Sequence, residues 1–165
     1  MSAAGLEHEG EQLQRLAAAL LDAADPGASA VRVAAAFLPH RDTWAARILR
    51  TDAAGAHEGG DAVLEAGSRL AEQLDALQEA AAAQSQAFVS CRVVVTRSAE
   101  DGQRVSVDCA LNHDRDPGSL NGLGGVDAEY ARRLAARVGA ERMPAWVRAL
   151  LEDGAAPGAT GGARA

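Results

Sequence analysis

This sequence of 165 residues has few large side chains and no lysine. All 16 of its basic residues (lysine and arginine counted together) are therefore arginine. Aromatic residues make up only 3% of the chain. Hydrophobic residues make up 48%, but 40 of the residues counted there are alanine. Because alanine buries little apolar area, the sequence predicts a thin hydrophobic core. The lack of lysine also excludes a Walker-type phosphate loop, which requires one.

Other absences exclude whole classes of protein. No stretch approaches the roughly 18 apolar residues of a membrane helix, and the acidic start is unlike a secretory signal. Two cysteines are too few for a disulfide framework. A formal charge of −7 and a pI near 5.0 argue against nucleic-acid binding, which needs clustered basic residues. We therefore expect a cytoplasmic protein with no membrane or nucleic-acid partner, whose charge favours a basic protein partner.

The apolar pattern of the first half predicts a helix followed by an alanine-rich hairpin. Leu13, Leu16 and Leu20 share one helix face, and the helix ends at Pro26. The predicted elements are a helix over 7–24, strands over 30–38 and 43–50, and a loop over 51–60. Because alanine is a weak strand signal, helical interpretations of 34–36 and 45–48 stay open. We expect this hairpin to be the softer part of the fold and the second half to hold the stable core.

A long helix over 61–84 is predicted next, from apolar residues spaced by three and four positions. This seam consists of Val63, Gly67, Leu70, Leu74, Leu77 and Ala81. Gly67 lowers the helix propensity, which suggests the close approach of a neighbouring backbone. The seam also leaves homodimerisation open as a hypothesis.

The second half has the clearest strand signal, because apolar and polar residues alternate over 88–97 and 105–111. A loop over 98–102 joins these strands. Cys91 and Cys109 are equidistant from Glu100 on the apolar face, so cross-strand contact between them is open. Helices over 127–138 and 144–151 follow, and the Gly/Ala-rich tail 154–165 is predicted to be disordered.

These elements predict an α+β fold with the order α-ββ-α-ββ-α-α. Its simplest arrangement is a four-stranded antiparallel sheet with helices packed on one face, in a single domain over 1–153. The other face of the sheet would then be open to solvent or to a partner. Arg92 and Asp108 would lie on that face, together with Ser90, Thr96 and Ser106.

The densest polar cluster is His113-Asp114-Arg115-Asp116, after the last strand. It would suit a general base or a metal ligand, but neighbouring residues of an extended chain point to opposite sides. The histidines lack metal-binding spacing, and the glycine-rich run 121–125 matches no phosphate loop and reads as a linker. We therefore predict no catalytic set, no metal and no cofactor. The predicted partner-binding residues are Arg92, Asp108, Asp114 and Asp116.

The order of elements resembles that of the YezG-type immunity proteins, which neutralise a cognate bacterial toxin by direct binding. The residues that carry the resemblance are the helix at Leu13, the strand after Pro26, and the later run through Leu70, Val89, Val107-Asp108 and Asn112-His113-Asp114. Phe88 stands where that family has an aromatic residue, whereas Cys109, Ala110 and Leu111 replace its tyrosines. A second resemblance, in element order and charge, is to class I type III secretion chaperones, which are commonly dimeric.

The leading hypothesis is a non-enzymatic protein-binding module, an immunity or inhibitor protein that neutralises a basic effector or toxin. One alternative is a dimeric secretion-chaperone-like protein. The other is a small enzyme or ligand-binding domain centred on His113, Asp114 and Asp116, which requires a concave pocket where these side chains converge.

Overall fold

A computed structural model describes residues 3–24, 26–98, 104–118 and 125–153 of the chain. Within them the order of elements is α-βββ-α-ββ-α-α. The elements are α1 (Ala3–Asp22), β1 (Ala28–Leu38), β2 (Thr43–Asp52), β3 (His57–Val63), α2 (Arg69–Gln84), β4 (Ser90–Arg97), β5 (Val105–Asn112), α3 (Ala128–Val138) and α4 (Ala145–Asp153). The α+β class and the antiparallel sheet are confirmed, and the described part of the chain contains four α-helices.

The prediction of four strands was wrong, because the sheet has five in the order β3-β2-β1-β4-β5. The additional strand, β3, occupies part of the predicted loop and the start of the predicted long helix. Its residues have little intrinsic strand propensity, and two of them are glycine. Pairing with β2 stabilises it instead, assisted by the bond from Arg47 Nη2 to Asp61 Oδ2 at 2.9 Å.

The helix α2 therefore begins at Arg69 rather than at residue 61. Gly67 has a φ of 77°, a conformation that suits glycine and stops a helix from extending backward. Ser68 caps the first turn by accepting a hydrogen bond from the Ala71 amide. An added Cβ at Gly67 would meet open space, so the predicted close backbone approach is also wrong.

The shorter seam on α2 serves the core of the monomer. Leu74, Leu77 and Ala81 are buried, while Val63 lies on β3 and is 38% exposed. The residues proposed to mediate homodimerisation therefore do not form a single exposed surface of one helix.

Both strands of the first hairpin are confirmed, and β1 is the central strand of the sheet. It pairs with β2 on one side and with β4 on the other. Val31, Val33 and Phe37 of β1 are buried, as is Trp44 of β2. The expectation that the stable core lies in the second half was wrong. The alanine-rich first hairpin contributes Trp44, the largest buried aromatic ring of the core.

One hydrophobic core joins the inward-facing strand residues to helices α1 to α4. The helices contribute Leu16 and Leu20 of α1, Leu74 and Leu77 of α2, Leu134 of α3 and Val147 of α4. Because these residues contact the same strand face, the helices cover that face, as predicted. We call it the covered face. The opposite one, with exposed Arg32, Arg47 and Arg92, is the open face.

A polar network ties α3 to the rest of the covered side. Arg137 Nη2 lies 2.7 Å from Asp75 Oδ1 on α2, and its Nη1 lies 3.1 Å from Asp42 Oδ1 in the β1–β2 turn. Its guanidinium also stacks 4.9 Å from the centre of the Phe37 ring. Trp44 Nε1 donates to the same Asp75 carboxylate at 2.7 Å. One arginine therefore connects a helix, a turn and the core aromatic cluster.

No described helix combines the length and the apolar character that crossing a membrane requires. Three predicted segments lie partly or wholly outside the described residues. These are the tip of the second hairpin, the glycine-rich run before α3, and the tail 154–165.

Candidate protein-binding face

The open face is defined by alternate residues of the five strands. Register places Ala34 beside Arg92, and Arg92 beside Ala110. In the next row Arg32 lies beside Val94, and Val94 beside Asp108. Small side chains thus separate the charged ones.

Arg92 and Asp108 lie on this face, but they are diagonal neighbours rather than a directly opposed pair. Neither forms an ion pair with any described residue. The two side chains therefore do not form a cross-strand salt bridge that would stabilise the sheet. Their charged groups are exposed and available to a partner.

Arginines on three neighbouring strands cross the middle of the open face. Arg47 is on β2, Arg32 on β1 and Arg92 on β4, at diagonal positions. Arg47 donates to Asp61, and this hydrogen bond lowers the carboxyl pKa of Asp61. Arg32, like Arg92, has no ion-pair partner among the described residues. Sequence reasoning missed Arg32 and Arg47 as site residues. Arg32 is the single charge within the apolar strand β1, which is the signal of an outward position.

A cleft of about 720 Å³ opens on this face where β4 begins and β5 ends. Its floor includes the small residues Ala34 and Ala110, and its wall is the segment 114–117 that follows β5. Three of the four predicted partner-binding residues, Arg92, Asp114 and Asp116, line it, while Asp108 lies outside it. The structure therefore brings together side chains from a strand and a loop that are far apart in sequence.

Asn112 positions the wall of this cleft. Its Nδ2 donates to Ser90 Oγ and to the Arg115 carbonyl, both at 2.9 Å, and its Oδ1 accepts from the Asp114 amide at 3.3 Å. Asp116 Oδ1 accepts from the Gly118 amide at 2.8 Å. These side-chain to backbone bonds form a turn in which the charged ends of Asp114 and Arg115 stay exposed. Asn112 was not predicted as a site residue, because a positioning role depends on contacts that only the fold creates.

His113 does not line the cleft, although it lies between two residues of that region. Its Nδ1 lies 3.2 Å from the Ala87 carbonyl oxygen, and its ring stands edge-on to Phe88 with 6.5 Å between centroids. Its backbone carbonyl accepts from Trp146 Nε1 at 2.7 Å. The hypothesis of an acid–base site needs His113, Asp114 and Asp116 to converge, and the structure separates the histidine from the two carboxylates.

Cys91 and Cys109 are free thiols on the covered face. The ladder pairs Cys91 with Leu111 and Val93 with Cys109, so the cysteines are diagonal neighbours rather than directly opposed. Burial raises the pKa of both thiols, that of Cys109 to about 11. Thiols with raised pKa values are poor nucleophiles, so neither has the character of a reactive cysteine.

Within the described ranges, no group of three or more His, Cys, Asp or Glu side chains could hold a metal ion. Comparison of the chain with protein-family models, curated proteins and solved structures found no match. The geometry of the open face is therefore the basis for a functional proposal.

Proposed function

We propose that this chain is a non-enzymatic protein-binding module of the immunity or inhibitor kind, which uses the open face of its sheet to bind and neutralise a basic effector. The observation that carries the proposal is the cleft where Arg92, Asp114 and Asp116 meet on a sheet face that the described helices leave uncovered. A sheet face with exposed charges on a rigid scaffold is well suited to protein recognition.

The distribution of charge supports a basic partner at one side of this face. Asp108, Asp114 and Asp116 are exposed near β5 and form no ion pairs with described residues. A partner's arginine or lysine side chains would find unpaired carboxylates there, which raises the rate and selectivity of association. Arg32 and Arg92 would in turn donate hydrogen bonds to carboxylate or carbonyl oxygens of the partner.

The shape of the cleft supports a protruding segment of the partner as the element that enters it. The floor includes the small residues Ala34 and Ala110, so a partner's side chain reaches the sheet at these positions without displacing a large residue. The wall is held by Asn112 through three hydrogen bonds. A pre-formed wall lowers the entropy that binding would otherwise lose.

Affinity capture from the organism that encodes the chain tests this proposal. The bait variant Asp108→Asn/Asp114→Asn removes two open-face carboxylates, while Asp116 is kept because it bonds the Gly118 amide. The control variant Glu72→Gln/Glu152→Gln removes the same charge from α2 and α4. We expect a protein that the wild type and the control retain at low salt and the open-face variant loses.

The proposal would be contradicted if both variants retained the same proteins as the wild type, or if the wild type retained none specifically. Isolated partner and bait should also show binding that weakens as salt increases, because exposed charge pairs are screened. An effector inhibited equally by wild type and open-face variant would place the interface elsewhere.

A second candidate is a small-ligand site in the same cleft, favoured by a volume within the range of about 300–1,000 Å³ usual for ligand pockets. Its walls carry both charges, from Arg92 and Asp114, so free amino acids are the probes to use. A rise in melting temperature that the variant Arg92→Ala abolishes would favour this function over protein binding.

A further inference from the structure

The two edges of the sheet differ in their protection against pairing with another strand. β3 has seven residues, all exposed, among them Glu58 and Asp61. Gly59 has a φ of 141°, and an added Cβ there would lie 2.0 Å from the Ile48 carbonyl oxygen. Charged side chains and irregular backbone are two ways in which proteins prevent edge strands from pairing. The β3 edge is therefore protected.

The β5 edge has no comparable protection. Its eight residues pair with β4 without a register shift, contain no proline or glycine, and include a single charged residue, Asp108. On the helix side, Val105 is 42% exposed and Val107, Cys109 and Leu111 are only partly buried. A long, regular and partly apolar edge strand favours pairing with another strand.

The backbone groups available on this edge belong to those same apolar residues. The Ser98 amide donates to the Arg104 carbonyl at 2.8 Å, which fixes the alternation of the β4–β5 ladder. Even-numbered residues of β5 thus face β4, whereas Val105, Val107, Cys109 and Leu111 direct their N–H and C=O groups outward. No described strand pairs with them.

We propose that β5 pairs antiparallel with β5 of a second copy of this chain, with Cys109 opposite the same residue of the partner subunit. A two-fold axis normal to the sheet would then produce one continuous sheet of ten strands with the helices of both copies on the same side. The inference does not depend on the proposed function, because the pairing uses the outward backbone groups of β5, whereas the cleft opens on the open face of the sheet.

The register of the β5–β5 pair indicates that a second copy of the chain is the partner and that Cys109 lies at the centre of the interface. In a symmetric antiparallel pair, one residue lies opposite the same residue of the second copy. Only two such registers, centred on residue 108 or on residue 109, keep all but one of the eight residues of β5 paired. The first places Asp108 against its own copy in a close pair, which repulsion of like charges disfavours. The second places Asp108 against Ala110, Ser106 against Asn112, and Val107 against Leu111. The strand is therefore complementary to itself in one register.

Two measurements test the pairing. Sedimentation of the wild type from about 1 to 100 µM should show a dimer. Oxidation of the variant Cys91→Ala should link two chains through Cys109, since the Cα atoms of a hydrogen-bonded antiparallel pair lie about 5.5 Å apart, within disulfide range. The matched variant Cys91→Ala/Cys109→Ala/Asp108→Cys should not link, because the diagonal separation exceeds about 7 Å.

A charge at the axis should dissociate the dimer. In Cys109→Arg two guanidinium groups would meet across the axis, so we expect half the wild-type mass with an unchanged circular dichroism spectrum. The control Thr96→Arg adds the same charge on the exposed face of β4 and should remain dimeric. A wild type that is monomeric throughout overturns the proposal, as does a dimer with no link through Cys109. If Cys109→Arg fails to fold, the oxidation experiment decides alone.

Discussion

The two faces of this sheet share the same five strands but differ in what holds their side chains. On the covered face, Val33, Trp44 and Val93 are fully buried against the helices, and the Asp75–Arg137 contact joins α2 to α3. On the open face, Arg92 and Asp108 are exposed and have no ionic partner among the described residues. The comparison shows that the large buried side chains lie on one face, whereas the other keeps charged side chains exposed.

This division is also visible in the aromatic residues. Phe37, Trp44 and Phe88 form a chain of ring contacts with centroids 5.3 and 5.6 Å apart, which ends at Tyr130 on one side and His113 on the other. A thin, alanine-rich core therefore concentrates its large groups at one end of the sheet. That end is also where the cleft wall begins, so the packing that stabilises the fold also positions the candidate site.

The largest difference between the faces should appear on shortening a buried leucine. Leu74→Ala should lower the free energy of unfolding by about 3 kcal/mol, because the side chain is fully buried and leaves a cavity. Val94→Ala, on the open face, should lower it by about 1 kcal/mol or less. Urea denaturation of both variants measures the difference, and equal losses would contradict the division.

A smaller effect is expected from the arginine that links α3 to the core. Arg137→Met should lower the free energy of unfolding by about 2 kcal/mol, since it removes charged hydrogen bonds to Asp75 and Asp42. The control Arg133→Met removes an exposed pair with Glu129 and should cost about 0.5 kcal/mol or less. If the two variants melted alike, the Arg137 network would not stabilise the covered side.

Alkaline pH should weaken the covered face through its thiols. Burial raises the pKa of Cys91 in the folded state, so its contribution is present below the unfolded pKa of about 8.5 and is lost as pH rises above that value. Between pH 7 and 9 this amounts to about 1 kcal/mol. Urea midpoints at both pH values measure it. Cys91→Ala should show a smaller fall, and an identical fall would assign the effect to other groups.

The smallest effect is expected on the open face itself. Arg92→Ala should change the free energy of unfolding by less than about 0.5 kcal/mol, because this exposed side chain has no ionic partner among the described residues. Differential scanning calorimetry would measure it. A loss comparable to that of Leu74→Ala would mean that Arg92 supports the fold rather than recognition.

Much of the architecture could be predicted from local pattern. Strict alternation located β4 and β5, and the cap at Asp127 located α3, whose Tyr130 amide donates to the Asp127 carboxylate at 2.8 Å. The strand β3 could not be predicted, because its stability comes from β2 rather than from its own residues. Gly67 was misread for a related reason. Its spacing fits a helical seam, whereas its positive φ is incompatible with an α-helix at that position.

The candidate site divides in the same way. Alternation along a strand determines which side a residue faces, so the sequence alone placed Arg92 and Asp108 on one face. It also determined the charge, the thin core and the lack of lysine. Only the tertiary structure decided that Arg92 shares a cleft with Asp114 and Asp116, that His113 turns to the Ala87 carbonyl, and that β1 is the central strand. Those outcomes depend on contacts between residues distant in sequence, which local periodicity does not encode.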